Sequence, residues 1–349
     1  MAIQFELFGL ARHRELKLDD RANVPLRGVA AGDGAHALLC YSCAVLTSET
    51  IHDARATQRA LLLMTCSALM FGAMAFAAKL ATARLSGPQV AFVRFGVGLL
   101  PPLLIGRYRR SALQFHRYDL LLYRGFFGGL AVLFYFLAIE HIHVGVATLL
   151  NYSAPLFSGI FSVMFINEKI SPKVLLPMPI ALAGIYLVVR ANAHPGDYLG
   201  FGVWELVGLT SAFCSGAAVT AMRAARRGEN SWSVYTSFCL LGMFVTAPLG
   251  IKTWQQPRGD EWFSLAATAL LAIGAQLALT FSLRWLDAMT GGVISQLAVL
   301  VSLALGNWLL GESISTMAAI GAALTIGGVC GVVYVTSWAK AVPAPAPES

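Results

Sequence analysis

The chain has 349 residues, 57% of them hydrophobic and 12% charged, with a formal net charge of +7. Soluble domains carry about 25% charged residues, so this composition excludes a water-solvated globule and makes lipid the main solvent. The basic excess, with a mean hydropathy of +0.67, is what loops that orient membrane segments require; no nucleic-acid partner is expected.

Residues 1–55 carry charges of both signs (Arg12, Arg14, Glu15, Lys17, Asp19, Asp20, Arg21) without sustained periodicity. Their most apolar stretch, Ala35 to Thr47, is shorter than the roughly 20 residues a spanning helix needs, and nothing in them has the order of a signal peptide. They read as an N-terminal extension without stable structure. Cys40 and Cys43 form a lone C-x-x-C with no second ligand pair, so neither a metal nor a cofactor is expected.

From Ala60 onward, apolar runs of spanning length succeed one another at 60–83, 88–106, 119–139, 144–166, 173–190, 201–222, 232–251, 263–286, 289–310 and 316–338. Short polar punctuation separates them, such as Ser86-Gly87-Pro88 and Ser171-Pro172, where Ser caps and Pro opens the next helix. Residues 339–349 form a Pro-rich, solvated tail. With the N-terminus in the cytoplasm, inside segments hold Arg107, Arg109, Arg110, Arg117, Lys169, Lys173, Arg223, Arg226, Arg227, Arg284 and Lys340. Outside segments hold only Arg84, Arg190, Lys252 and Arg258. The bias places both termini inside.

The sequence also repeats itself. A shift of 144 residues lays Phe71-Gly72-Ala73 on Ser215-Gly216-Ala217, Asn167-Glu168 on Gly311-Glu312, and Gly184 on Gly328. Each copy, 60–190 and 201–338, holds five spans. An odd number makes the second copy enter the membrane from the opposite side. Inverted repeats of this kind build many secondary transporters, with the solute site near the midplane between the halves. The fold class expected is all-α: a polytopic integral membrane protein with ten transmembrane helices in two inverted five-helix repeats.

The run from Tyr135 through Glu140, Asn151 and Tyr152 to Pro155-Leu156 resembles the third and fourth helices of the drug/metabolite transporter superfamily, EamA type. Asn167-Glu168 and Gly311-Glu312 resemble that family's acidic helix ends. The resemblance covers about residues 60–338. It implies movement of a small metabolite or drug-like solute, with no cofactor. Two departures stand out: Asn167 replaces the usual Gly, and Val299 replaces the usual Pro, which should leave the ninth span straighter than the fourth.

Polar groups inside spans cost free energy unless they face a cavity or a partner. Gln276 in the eighth span, Gln296 in the ninth, and Asn151 and Tyr152 in the fourth are such groups; Tyr152 and Gln296 occupy equivalent positions in the two repeats. They either ring a cavity or bridge helices. Arg94, two turns into the second span, reads as meeting either water in a cavity or a helix carbonyl, with Glu205 as a candidate partner. Lys79 reads as snorkelling to the interface. Pro155 frees a carbonyl or marks a bend. Phe126, Phe127, Phe134, Tyr135 and Phe136 either wall a solute or pack against neighbours. Glu168 and Glu312 read as clamps on the helices that follow, and Glu140, His141 and His143 as a solvated loop. Six residues therefore form the candidate solute site: Arg94, Tyr135, Asn151, Tyr152, Gln276 and Gln296. The reading is a secondary transporter working by alternating access in a bacterial inner membrane, its partners a small-molecule solute and the lipid bilayer, with a homodimer left open. A membrane-embedded enzyme would need a clustered acid, base or metal set, and a channel a continuous polar face. Neither pattern is visible, and no Walker A sequence supplies an ATP engine.

Overall fold

In hydrocarbon no water reaches backbone N–H and C=O groups, so an apolar run satisfies them by becoming a helix. A computed structural model shows that outcome. It describes residues 34–108, 115–166, 176–191, 202–225, 229–282, 286 and 288–341. The described elements are helices: α1 (Gly34–Ala81), α2 (Gly87–Gly98), α3 (Leu100–Tyr108), α4 (Tyr118–His141), α5 (Val144–Asn151), α6 (Ala154–Ile166), α7 (Pro177–Ala191), α8 (Val203–Ala225), α9 (Ser231–Lys252), α10 (Gly259–Ser282), α11 (Ala288–Ser295), α12 (Leu297–Leu310) and α13 (Thr316–Ala341). Among the described residues nine segments are long and apolar enough to cross a membrane, and Pro177–Ala191 is a shorter apolar helix. The chain is thus an all-α integral membrane protein whose ten crossings form two repeats. Three crossings are each made of two helices in series: α2 with α3, α5 with α6, and α11 with α12.

Residues 1–55 form a unit of their own. The backbone is helical from Gly34, through a stretch with neither Gly nor Pro between Ala35 and Phe71, whereas the sequence reading expects no element before residue 56. Residues 1–33, the Asn167-Glu168 turn, Ser171-Pro172 and the tail beyond residue 341 lie outside the described residues.

The repeat is visible in the backbone. Helices α5 and α11 begin and end at equivalent residues, Val144–Asn151 and Ala288–Ser295. Helices α2 and α9 start under equivalent caps: Ser86 accepts from the Gln89 N–H, and Asn230 from the Trp232 N–H. The packing repeats as well. Gly72 of the first repeat lies against Ala298 and Val301, while its equivalent Gly216 lies against Ala154 and Phe157, which are the equivalents of those two residues. Gly184 abuts Thr325, and its equivalent Gly328 abuts Ala181, the residue equivalent to Thr325. Such reciprocal contacts are what a two-fold relation between the halves produces. Helices α2, α5 and α7 accordingly pack on their own counterparts or continuations, α9, α12 and α13. At these points the absence of a side chain lets backbones approach closely, which in lipid replaces the hydrophobic drive for helix association.

The fourth and ninth crossings break at equivalent places. Tyr152 and Ser153 separate α5 from α6, and Gln296 separates α11 from α12. Pro155 therefore falls in the first turn of α6, where its missing N–H leaves no helix bond unmade, and not in mid-helix as expected. The ninth crossing lacks the Pro yet breaks too, by one residue instead of two. There the Val299 N–H donates to Gln296 O at 3.0 Å in a tightened turn.

Candidate functional site

The two ends of the bundle are built differently. At the end where α1 and α4 finish and α2, α5 and α10 begin, the interior is solid. Leu85, Val90, Phe136, Ile139, Val144 and Leu265 are each 1% exposed or less. A polar layer closes over them. The Gln89 side chain donates to Gln255 O at 2.7 Å and accepts from the Gln255 N–H at 3.0 Å. Arg84 pairs with Glu261 and donates to Gln256 O. The Gly87 N–H donates to Glu140 at 2.7 Å.

Two sequence readings are corrected at this end. Lys79 does not snorkel: its ammonium donates to Ile139 O and Ile142 O at 2.8 Å each, satisfying the last carbonyls of α4. Carbonyls at a helix C-terminus lack intrahelical partners, so a cation within reach is better used there than at the interface. Glu312 is a clamp, but on α5 and not on the helix that follows it. Its carboxylate accepts from the Val144 N–H at 3.0 Å, while Ser315 caps α13 through the Ala318 N–H. Beside them, His141 stacks on Trp204 with ring centroids 3.5 Å apart. Among the described residues, no group of three His, Cys, Asp or Glu could hold a metal.

The opposite half is hollow. A cavity of about 280 Å³ runs from mid-bundle, at Tyr135, Asn151 and Tyr152, toward the end where α4 begins and α8 and α10 finish, at Met222 and Leu286. That volume suits a small metabolite, just under the usual range for ligand pockets. Five of the six expected residues line it: Arg94, Tyr135, Asn151, Tyr152 and Gln276. The sixth, Gln296, stands behind the wall and donates from Nε2 to Tyr152 O at 3.2 Å. The carbonyl it serves is freed by the break between α5 and α6, so one repeat's equivalent residue holds the other's. Gln276 lies six residues from the end of α10. Its side-chain amide makes no hydrogen bond among the described residues and faces the cavity. The two glutamines, alike by sequence, thus separate into a lining group and a bridge.

Tyr135 donates to Thr148 Oγ1 at 2.9 Å, since Thr148 spends its own proton on Val144 O. Ser211 Oγ sits 2.7 Å from Asn151 Oδ1 and 2.9 Å from Ala131 O. Of the aromatic run in α4, only Tyr135 lines the space. Phe126 is 48% exposed, and the cavity's other aromatic rings are Phe71, Tyr152 and Phe238.

Arg94 is 6% exposed, and its guanidinium lies 5.4 and 5.6 Å from the ring centroids of Phe95 and Phe136. Among the described residues it has no carboxylate partner; the suggested Glu205 pairing is not formed. The sequence reading missed a second cation. Arg124 is 7% exposed, lies 4.3 Å above the Phe238 ring and lines the same cavity. Its signal was available, because a cation six residues into an apolar span is subject to the same cost that singles out Arg94. The space for its side chain comes from Gly128, one turn on, where a Cβ would collide with Arg124 Nη1.

A family model described as the EamA-like transporter family matches residues 58–190 and again 202–334. The chain belongs to the EamA-like transporter family. It is 27% identical over 277 residues to the pseudopaline exporter CntI of Pseudomonas aeruginosa, covering 79% of this chain and 93% of that one. An uncharacterized transporter of Archaeoglobus fulgidus is 24% identical over 203 residues, 58% of this chain and 72% of that one. A solved crystal structure shares the fold at 22% identity and a TM-score of 0.56, covering 80% of this chain and 98% of that one. This EamA-like protein is therefore a membrane transporter.

Proposed function

We propose that this transporter exports a small metabolite from the cytoplasm by alternating access, without a cofactor or ATP site of its own. The observation that carries the reading is the unequal ending of a two-fold bundle: hollow and polar at one end, packed and hydrogen-bonded shut at the other. Two repeats of like backbone can exchange these roles. If the second repeat takes up the first one's packing and the first the second's, the mouth moves to the other side. The excess of Lys and Arg in the segments at the hollow end favours a cytoplasmic mouth, in a bacterial inner membrane with both termini inside. The pseudopaline exporter among the relatives supports the outward direction. Arg94, Tyr135, Asn151, Tyr152 and Gln276 contact the solute in this reading, and Gln296 holds the Tyr152 carbonyl in place.

The test compares metabolites in cells and medium with and without the protein. A solute depleted inside and enriched outside only in expressing cells, and carried by the purified protein in liposomes, is the expected result. Equal profiles at verified membrane expression would end the export reading. A cavity cysteine at Met222, in a background free of other cysteines, should react with an impermeant reagent from the cytoplasmic side; reaction only from outside would invert the orientation.

A further inference from the structure

The cavity holds two cations and, among the described residues, no anion. Arg94 on α2 and Arg124 on α4 line one wall, each more than nine-tenths buried, and no acidic side chain contributes to the lining. Arg124 Nε is buried without a hydrogen-bond partner. The two arginines share one aromatic floor: Arg94 lies beside Phe95, Arg124 lies over Phe238, and those two rings meet edge to face at 5.2 Å. Ring faces soften the desolvation of a guanidinium only in part, and the larger share of the cost of burying the ion stands. Structural arginines inside membranes are paired with a carboxylate or a carbonyl; these two are left open toward the same cavity, and each repels the other.

We propose that the transported solute is a small organic anion whose carboxylate groups bind Arg94 and Arg124 together, while an uncharged body rests on the apolar remainder of the lining. This rests on the transporter reading above and supplies its substrate class. The rest of the lining suits such a body: Met64 and Phe71 of α1, with Met222 and Leu279 of the second repeat, are apolar and adaptable, and the free amide of Gln276 accepts or donates to a neutral polar group. Guanidinium forks match carboxylates two bonds at a time, so a dicarboxylate fits the pair best.

Purified protein in phosphatidylcholine nanodiscs is titrated with phthalate, its neutral analogue phthalamide, and benzylamine, reading the unfolding temperature and binding heat. Phthalate is expected to bind and stabilise, with affinity falling as salt rises; the other two are expected to do neither. Arg94→Gln and Arg124→Gln should each weaken phthalate at least tenfold, and Arg94→Lys should recover part of it. The exposed Arg107→Gln should change nothing. Without ligand, the two cavity variants should unfold at an equal or higher temperature, since an unrelieved buried charge has been removed; a packing role would lower it. Equal stabilisation by phthalamide or benzylamine, or phthalate binding untouched in both variants, would overturn the proposal. So would stabilisation by phosphatidylglycerol nanodiscs alone with no phthalate binding, which would assign the pair to a lipid headgroup. Binding does not need flux, so anion binding without export would sink the export reading and leave the paired-arginine anion site standing. Transport of a cation without anion binding would do the reverse.

Discussion

The two repeats share a backbone and differ in chemistry. Helix α5 and its counterpart α11, the caps Ser86 and Asn230, and the contacts of Gly72 and Gly216 coincide under the 144-residue shift. The cavity lining does not. Arg94 has Phe238 as its equivalent, Arg124 has Thr268, Tyr135 has Leu279, and Gln276 has Val132. The charge in the lining thus comes from the first repeat, with Phe238 standing where a third cation would be and serving as the floor for Arg124 instead. Small residues and caps fix how helices approach, so a two-fold machine must keep them in both copies. A solute need not share the two-fold symmetry of the repeats, so the residues that meet it are free to diverge. Symmetry marks the machine and asymmetry marks the site.

The largest expected effect falls on a position where the repeats must agree. A Cβ at Gly184 would meet the backbone of α13 at Gly321 and Thr325, and one at Gly328 would meet Ala181 of α7. Neither backbone can yield as a flexible side chain would. Gly184→Val and Gly328→Val should each destabilise by about 2–3 kcal/mol and cut the yield of monodisperse protein to a similar degree. A large loss in one with none in the other would break the claim that the two contacts are equivalent.

Next comes the sealed end. Gln89 is fully buried and makes both of its hydrogen bonds to the Gln255 backbone. Gln89→Leu removes both, at about 1 kcal/mol each, and so favours the outward-facing form by about thirtyfold. A cysteine placed at Met74, at the inner edge of the packed half, should then react faster with an impermeant reagent from outside. Unchanged labelling would mean that this layer does not hold the closed state.

Much of this architecture is legible in the sequence because spanning length and loop charge are one-dimensional signals. Ten apolar runs, the repeat and five lining residues follow from them. Other features depend on three dimensions. Lys79 reads as an interface residue until the C-terminus of α4 is known to lie beside it, and Glu312 reads as a clamp on its own neighbour until α5 is seen beneath it. The break at Gln296 has no Pro to announce it; it is set by packing against the equivalent break at Tyr152. Arg124 carries its signal in the sequence, but that it shares a floor with Arg94 depends on α2 and α4 both meeting α9.

The smallest effects, and the sharpest comparison, belong to the two glutamines. Gln276 faces the cavity with a free amide, and Gln296 bridges to Tyr152 O. Leucine is close to each in bulk and is at home in an apolar bundle, so substitution isolates the amide. Gln276→Leu should lower solute affinity by a few-fold to tenfold, the loss of one hydrogen bond in a water-poor site, while the melting temperature barely moves. Gln296→Leu should do the opposite. Bridges between membrane helices average about 0.6 kcal/mol, so a small fall in stability is expected. Affinity should change little, because Tyr152 keeps its place in the wall and its free carbonyl can still be met by water from the break. Both quantities measured on the same purified variants decide the matter. If Gln276→Leu loses stability and keeps its affinity, the amide is a bridge to something the solute never touches, and the solute site loses the second repeat's side-chain amide.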